Sequence, residues 1–135
     1  MNRVVHFEIH VADPERAAKF YQAVFGWEIE EWKFPEPMAD ENRYWMVKTG
    51  PDSEPGINGG MVFRKGSAPK DGEPMTAYVC TMTVSSVDEY LEKIKKAGGR
   101  VMIEKMPIVQ VGWLAYARDL DGNMFGIMED DKEAK

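Results

Sequence analysis

The sequence predicts an α+β fold made of two β-α-β-β-β modules. Three observations carry that reading. An alternating apolar strand leads into a capped helix near the N-terminus, the same order recurs about half a chain later, and a Gly/Pro-rich charged segment lies between the two. Sliding the chain by 73 residues pairs His10 with Thr83, Val11 with Val84, Tyr21 with Ile94 and Gly26 with Gly99. A repeat half the length of the chain implies an internal duplication rather than a solenoid.

In the first module, residues 4–11 alternate, with Phe7, Ile9 and Val11 on one face and His6, Glu8 and His10 on the other. Asp13-Pro14-Glu15 starts a helix: Asp13 caps it, Pro14 fits the first position, and Glu15 sits at the positive end of the dipole. Ala17, Phe20, Tyr21 and Val24 recur at helical spacing, and Gly26 is placed to end the helix in the left-handed conformation. Strands follow at 27–32, 44–49 and 61–64, separated by the loops KFPEPMADEN and GPDSEPGINGG.

Residues 65–74 read as a linker, so module one spans about 3–64 and module two about 75–129 of a single domain. In module two, residues 75–84 form the strand and Ser86-Val87-Asp88-Glu89 matches a capping box. Val87, Tyr90, Leu91, Ile94 and Ala97 make the apolar stripe of the helix, while Glu89/Lys93 and Glu92/Lys96 are ion pairs on its wet side. Gly98-Gly99 ends it, strands follow at 100–105, 112–118 and 123–129, and the charged tail 130–135 reads as frayed. Each helix covers one sheet face, so the uncovered faces are expected to line a shared cup with the helices outside.

Composition narrows the function classes. The chain has 135 residues, a net charge of −6, 44% apolar residues, two histidines and one cysteine. One cysteine excludes an internal disulfide and thiolate-rich zinc sites, and two histidines exclude a three-histidine site within one chain. The acidic balance without a Lys/Arg run argues against nucleic acid. No stretch approaches a membrane span, and the first residues lack the apolar run of a secretory signal. The expectation is a cytoplasmic protein with no nucleic-acid or membrane partner.

His6, Glu8 and His10 are the foremost candidate cluster. On a strand they project to one face, about 7 Å apart per step. Imidazole and carboxylate suit a divalent metal such as zinc, nickel, iron or manganese, and either His6 or Glu8 also suits general acid/base work. The plainer reading is a polar rim or a hydrogen-bonded pair. Met61, Phe63, Val79, Thr81, Met124, Gly126 and Met128 are expected on the lining face of their strands. Two or more of Trp27, Trp32, Trp45 and Trp113 are expected to reach the cavity, giving a cup for a small, partly apolar ligand. Cys80 reads as an inert thiol on the helix-packed face, and Gly59-Gly60 as backbone punctuation rather than a phosphate loop.

The run HFEIHVADPERAAKFYQAVFGWEI, the Gly59-Gly60 pair, the helix end KKAGGRV and the stretch DLDGNMFGIME together resemble the vicinal oxygen chelate superfamily over roughly residues 3–129. That group includes lactoylglutathione lyase, bleomycin-resistance proteins, fosfomycin-resistance enzymes and extradiol dioxygenases. The resemblance extends to small proteins labelled as related to lactoylglutathione lyase. It implies a glyoxalase-like fold, a homodimer, and in the enzymes a divalent metal held by the first and last strands of each module. Carried onto this sequence, those four positions fall on His6, Phe63, Val79 and Gly126, of which only His6 keeps a ligand. Two function classes stay open. One is a small-molecule binding protein of the bleomycin-resistance type. The other is a metal-dependent lyase, isomerase or dioxygenase with an altered shell that includes His6.

Overall fold

A computed structural model describes residues 1–37, 39–74 and 78–135. The elements run β1 (Val4–Val11), α1 (Pro14–Phe25), β2 (Glu28–Glu31), β3 (Tyr44–Lys48), β4 (Asn58–Phe63), β5 (Val79–Thr83), α2 (Val87–Lys96), β6 (Arg100–Ile108), β7 (Gly112–Arg118) and β8 (Met124–Asp130). This is β-α-β-β-β twice. A short 3₁₀ turn at Asp40–Asn42 was not anticipated. The expected strand at 75–84 falls partly on residues outside the described ones; its described part is Val79–Thr83.

The chain divides into two compact units, His6–Tyr78 and a second made of Met1–Val5 with Val79–Lys135. The first five residues therefore belong with the second module, where the Asn2 amide donates to the Thr83 carbonyl and the Thr83 amide to that of Arg3.

In the first unit, hydrogen bonding orders the strands β2-β3-β4-β1. β1 lies parallel to β4 and the other pairs are antiparallel. The helix forms where the sequence placed it. Asp13 Oδ1 accepts from the Arg16 amide, and Gly26 closes the end at φ 71°. Phe7 contacts Trp27, which stacks on Tyr21 of α1 with ring centres 5.0 Å apart, so Phe7, Ile9 and Val11 form the helix face.

The second unit repeats the arrangement as β5-β8-β7-β6, with β5 parallel to β8. Ser86 Oγ caps α2 at the Glu89 amide, and Glu129 from β8 accepts from the first helical amide, Val87. Val87 and Leu91 pack with Val84, Ala115 and Ile127 into the core. Lys93 pairs with Glu89 as expected, but Glu92 bonds Lys95, one turn position earlier than the Lys96 foreseen.

The tail departs from expectation. Ala134 is 1% exposed, its carbonyl accepts from the Gln110 amide, and Asp131 accepts from the Trp113 indole at 2.9 Å. The charges that suggested fraying are ends of a segment pinned to β7.

Candidate functional site

Strand register decides which residues share a face. In the first unit Glu8 stands opposite Gly60 and Met46, and His10 opposite Val62, which faces Tyr44. Together with His6, these residues make up the face away from α1. Ile9 stands opposite Met61 and Trp45, and Val11 opposite Phe63. Met61 and Phe63 are therefore on the helix face, which corrects their expected place beside His6. Met61 is fully buried there and Phe63 meets Trp45 edge to face. The reason is that β4 begins at Asn58 and runs through two glycines, whose missing side chains hide the alternation.

The face away from α1 is organised by a residue that did not stand out in the sequence. His6 Nε2 and the Tyr44 hydroxyl are hydrogen-bonded at 2.9 Å. Gly60 makes this possible, because a Cβ at that position would overlap the Tyr44 phenol. Gly59 plays the same part on the other face, where its Cβ would fall 2.6 Å from the Phe7 ring. The glycine pair is thus a close-approach device rather than plain punctuation. Burial lowers the His6 pKa, against the opposing pull of Glu8. Burial, followed by the Glu8 charge, raises that of Tyr44. At neutral pH the pair is an uncharged imidazole bonded to an intact phenol, with a carboxylate on the same strand face. It can hold a polar group of a molecule without adding net charge.

In the second unit Thr81 faces Gly126, Gly126 faces Tyr116, and Thr83 faces Met128. Val79 and Met124 share that phase, opposite to the core residues Ala115 and Ile127. Thr81 is 4% exposed, and a Cβ at Gly126 would meet its Oγ1 at 2.6 Å and the Tyr116 ring at 3.2 Å. Cys80 stands opposite Phe125 on the helix face, as expected, and is a free thiol.

Three of the four tryptophans lie on the helix side rather than on a helix-free face as anticipated. Trp27 stacks within the aromatic cluster of α1, Trp45 is buried on the helix face, and Trp113 packs against the core under α2. Trp32 is half exposed beside β2, where it and Phe34 line a surface pocket of about 290 Å³ whose Arg43 is bonded to Glu31 and Asp40.

A family model described as "Bleomycin resistance protein-like N-terminal" matches residues 3–50. No curated protein matches the chain in sequence. Among solved structures, a methylmalonyl-CoA epimerase variant from Streptomyces coelicolor in complex with 2-nitronate-propionyl-CoA is 18% identical. The match covers 100% of this chain and 99% of that one at a TM-score of 0.65. A hypothetical protein from Bacillus halodurans is 16% identical over 99% and 98% of the two chains at 0.67. The methylmalonyl-CoA epimerase of Mycobacterium tuberculosis is 18% identical over 95% and 87% at 0.61. The chain has the vicinal oxygen chelate fold.

The metal shell that goes with this fold in its enzymes does not fit the residues present. Among the described residues no group of three or more His, Cys, Asp or Glu could hold an ion. His6 Nε2 is engaged by Tyr44. Val79 has no donor atom, and Phe63 is apolar and lies on the helix face. At Gly126 there is neither a donor nor room for one, because Thr81 and Tyr116 border its missing Cβ.

Proposed function

We propose that this protein binds a small, partly apolar molecule in the manner of bleomycin-resistance proteins, on the helix-free faces of its modules and without the metal used by enzymes of this fold. The observation that carries the reading is the His6–Tyr44 hydrogen bond. It occupies the one ligand atom left from the metal shell and turns it into a neutral polar anchor. Glu8 and His10 flank it in the first module, and Val79, Met124 and Met128 supply the ligand-lining set of the second, around the buried Thr81 and Gly126. The family match over residues 3–50 supports the same reading. The methylmalonyl-CoA epimerases share the fold, but the metal-dependent alternative finds no cluster of three ligand side chains among the described residues.

A thermal-shift screen of aromatic and aliphatic small molecules is expected to find a ligand whose stabilisation falls in Tyr44→Phe and His6→Ala. A stoichiometric zinc or nickel site of micromolar affinity, lost in His6→Ala, overturns the reading in favour of the metalloenzyme.

We also propose a cytoplasmic homodimer. Phe20, Val24 and Phe25 of α1 are 51%, 57% and 60% exposed, an apolar patch that a second copy would cover. The lone cysteine needs no oxidising compartment. No described helix is long and apolar enough to cross a membrane. Light scattering that returns a monomer at micromolar concentration sinks the dimer.

A further inference from the structure

The last residue of β7, Arg118, carries a charge with no ion-pair partner among the described residues. Arg118 is half-buried, and its Nε is the buried side-chain polar atom without a hydrogen-bond partner among the described residues. Its partner across β6 is another arginine, Arg100, in the register Arg100↔Arg118. Val101 and Ala117, the next pair, belong to the helix face, so both arginines project to the opposite face, with Met124 as the β8 neighbour of Arg118. Like charges directly opposite each other on a sheet repel. A guanidinium nitrogen taken out of water without an acceptor is costly.

No ion pair among the described residues neutralises the two guanidinium groups. The carboxylate next in sequence, Asp119, accepts from the Asp121 and Asn123 amides and the Asn123 side chain, which hold it in the β7–β8 turn and lower its pKa. The protein as a whole is acidic, with a net charge of −6, so two adjacent unpaired arginines are not a by-product of a basic surface.

We infer that Arg118, with Arg100 beside it, is a binding site for an oxyanion, a carboxylate or a phosphate carried by the ligand. Arginine is suited to this role because its fork of N–H donors matches two oxygens at once. Met124, half-buried on the same face, would take the ligand's apolar part. This deepens the proposed function by giving the ligand an anionic group at this end, and it rests on the reading that the helix-free face binds ligand.

The test follows the side-chain Nε–H resonance of Arg118 by nitrogen-15 NMR on the whole chain at low salt. Inorganic phosphate, succinate and neutral succinamide are titrated separately. The expected result is a saturable shift with phosphate or with succinate, the responding anion naming the source, and no response to succinamide. Arg118→Gln should weaken that binding about tenfold or more, and Arg100→Gln a few-fold. Arg118→Lys, which keeps the charge but not the fork, should fall between wild type and Arg118→Gln and serves where the glutamine variant unfolds. A response linear in ionic strength for both anions overturns the proposal, as does unchanged affinity in Arg118→Gln and Arg118→Lys. The two readings fail separately. Saturable anion binding without any stabilising apolar molecule in the screen removes the apolar ligand and keeps the oxyanion site. Apolar ligands that bind wild type and Arg118→Gln equally, with neither anion saturating, do the reverse.

Discussion

The two modules place a tyrosine beside a glycine on the same kind of face, and use the device differently. In the first, Tyr44 lies over Gly60 and reaches across to bond His6 on β1. In the second, Tyr116 stands directly opposite Gly126 and Thr81 fills the space on the other side, so the position is closed by packing. A glycine next to an aromatic ring in a sheet lets the ring cover the strand and protect its backbone. What differs is the residue on the leading strand. β1 presents His6 and Glu8, whereas β5 presents Val79 and Thr81. At the position equivalent to His6 the second module has Val79, whose side chain offers no hydrogen-bonding group.

The largest effect should come from forcing the second module to imitate a metal-binding one. Gly126→Glu puts a side chain into the Thr81 hydroxyl, and we expect a loss of roughly 3 kcal/mol in urea unfolding with no gain of metal affinity. A stable variant that binds zinc tightly would show that the position is open after all.

Gly60→Ala tests the matching site of the first module. Displacing Tyr44 should cost about 1–3 kcal/mol and break its bond to His6, leaving the second module's core unchanged by hydrogen exchange. Retention of the wild-type His6 titration by NMR in that variant would refute the link between Gly60 and the anchor.

Tyr44→Phe keeps the ring over Gly60 and removes only the hydroxyl. It should cost about 1 kcal/mol, mostly through the partly buried His6 nitrogen left without its partner. Unchanged stability of Tyr44→Phe in urea unfolding would show that the hydrogen bond contributes nothing.

The smallest effect is a pH dependence. The folded-state pKa of His6 is depressed by burial, so the unfolded chain binds more protons in the window below about pH 6.5. Stability should be full above that window and fall as the pH drops through it towards the lower folded value. His6→Gln should flatten this part of the curve, and an identical curve for the two proteins would show that another group governs it. At the alkaline end, the raised Tyr44 pKa means that the unfolded chain loses its proton first, so stability should decline above about pH 10, less so in Tyr44→Phe.

Much of the fold was legible because its signals are local. Asp13-Pro14 and Ser86 with Glu89 mark helix starts by groups that bond amides two or three residues away, and the structure shows those bonds. The phase of β1 was legible from six alternating residues. The phase of β4 was not, since Asn58-Gly59-Gly60 has no apolar pattern to read, and Met61 and Phe63 went to the wrong face for that reason. The tryptophans misled because a large aromatic ring suits a core and a cavity equally. Tyr44 gave no signal beyond being the first residue of a strand.

The sequence alone determined the duplicated β-α-β-β-β order, the helix boundaries and the absence of donor atoms at Val79 and Gly126. These follow from side-chain chemistry and from backbone preferences that act over a few residues. The partner of His6, the face of Met61 and the pairing of Arg100 with Arg118 were decided only by the tertiary structure. His6 and Tyr44 are 38 residues apart, and strand register over such a distance is set by packing of the whole module, which no local pattern encodes.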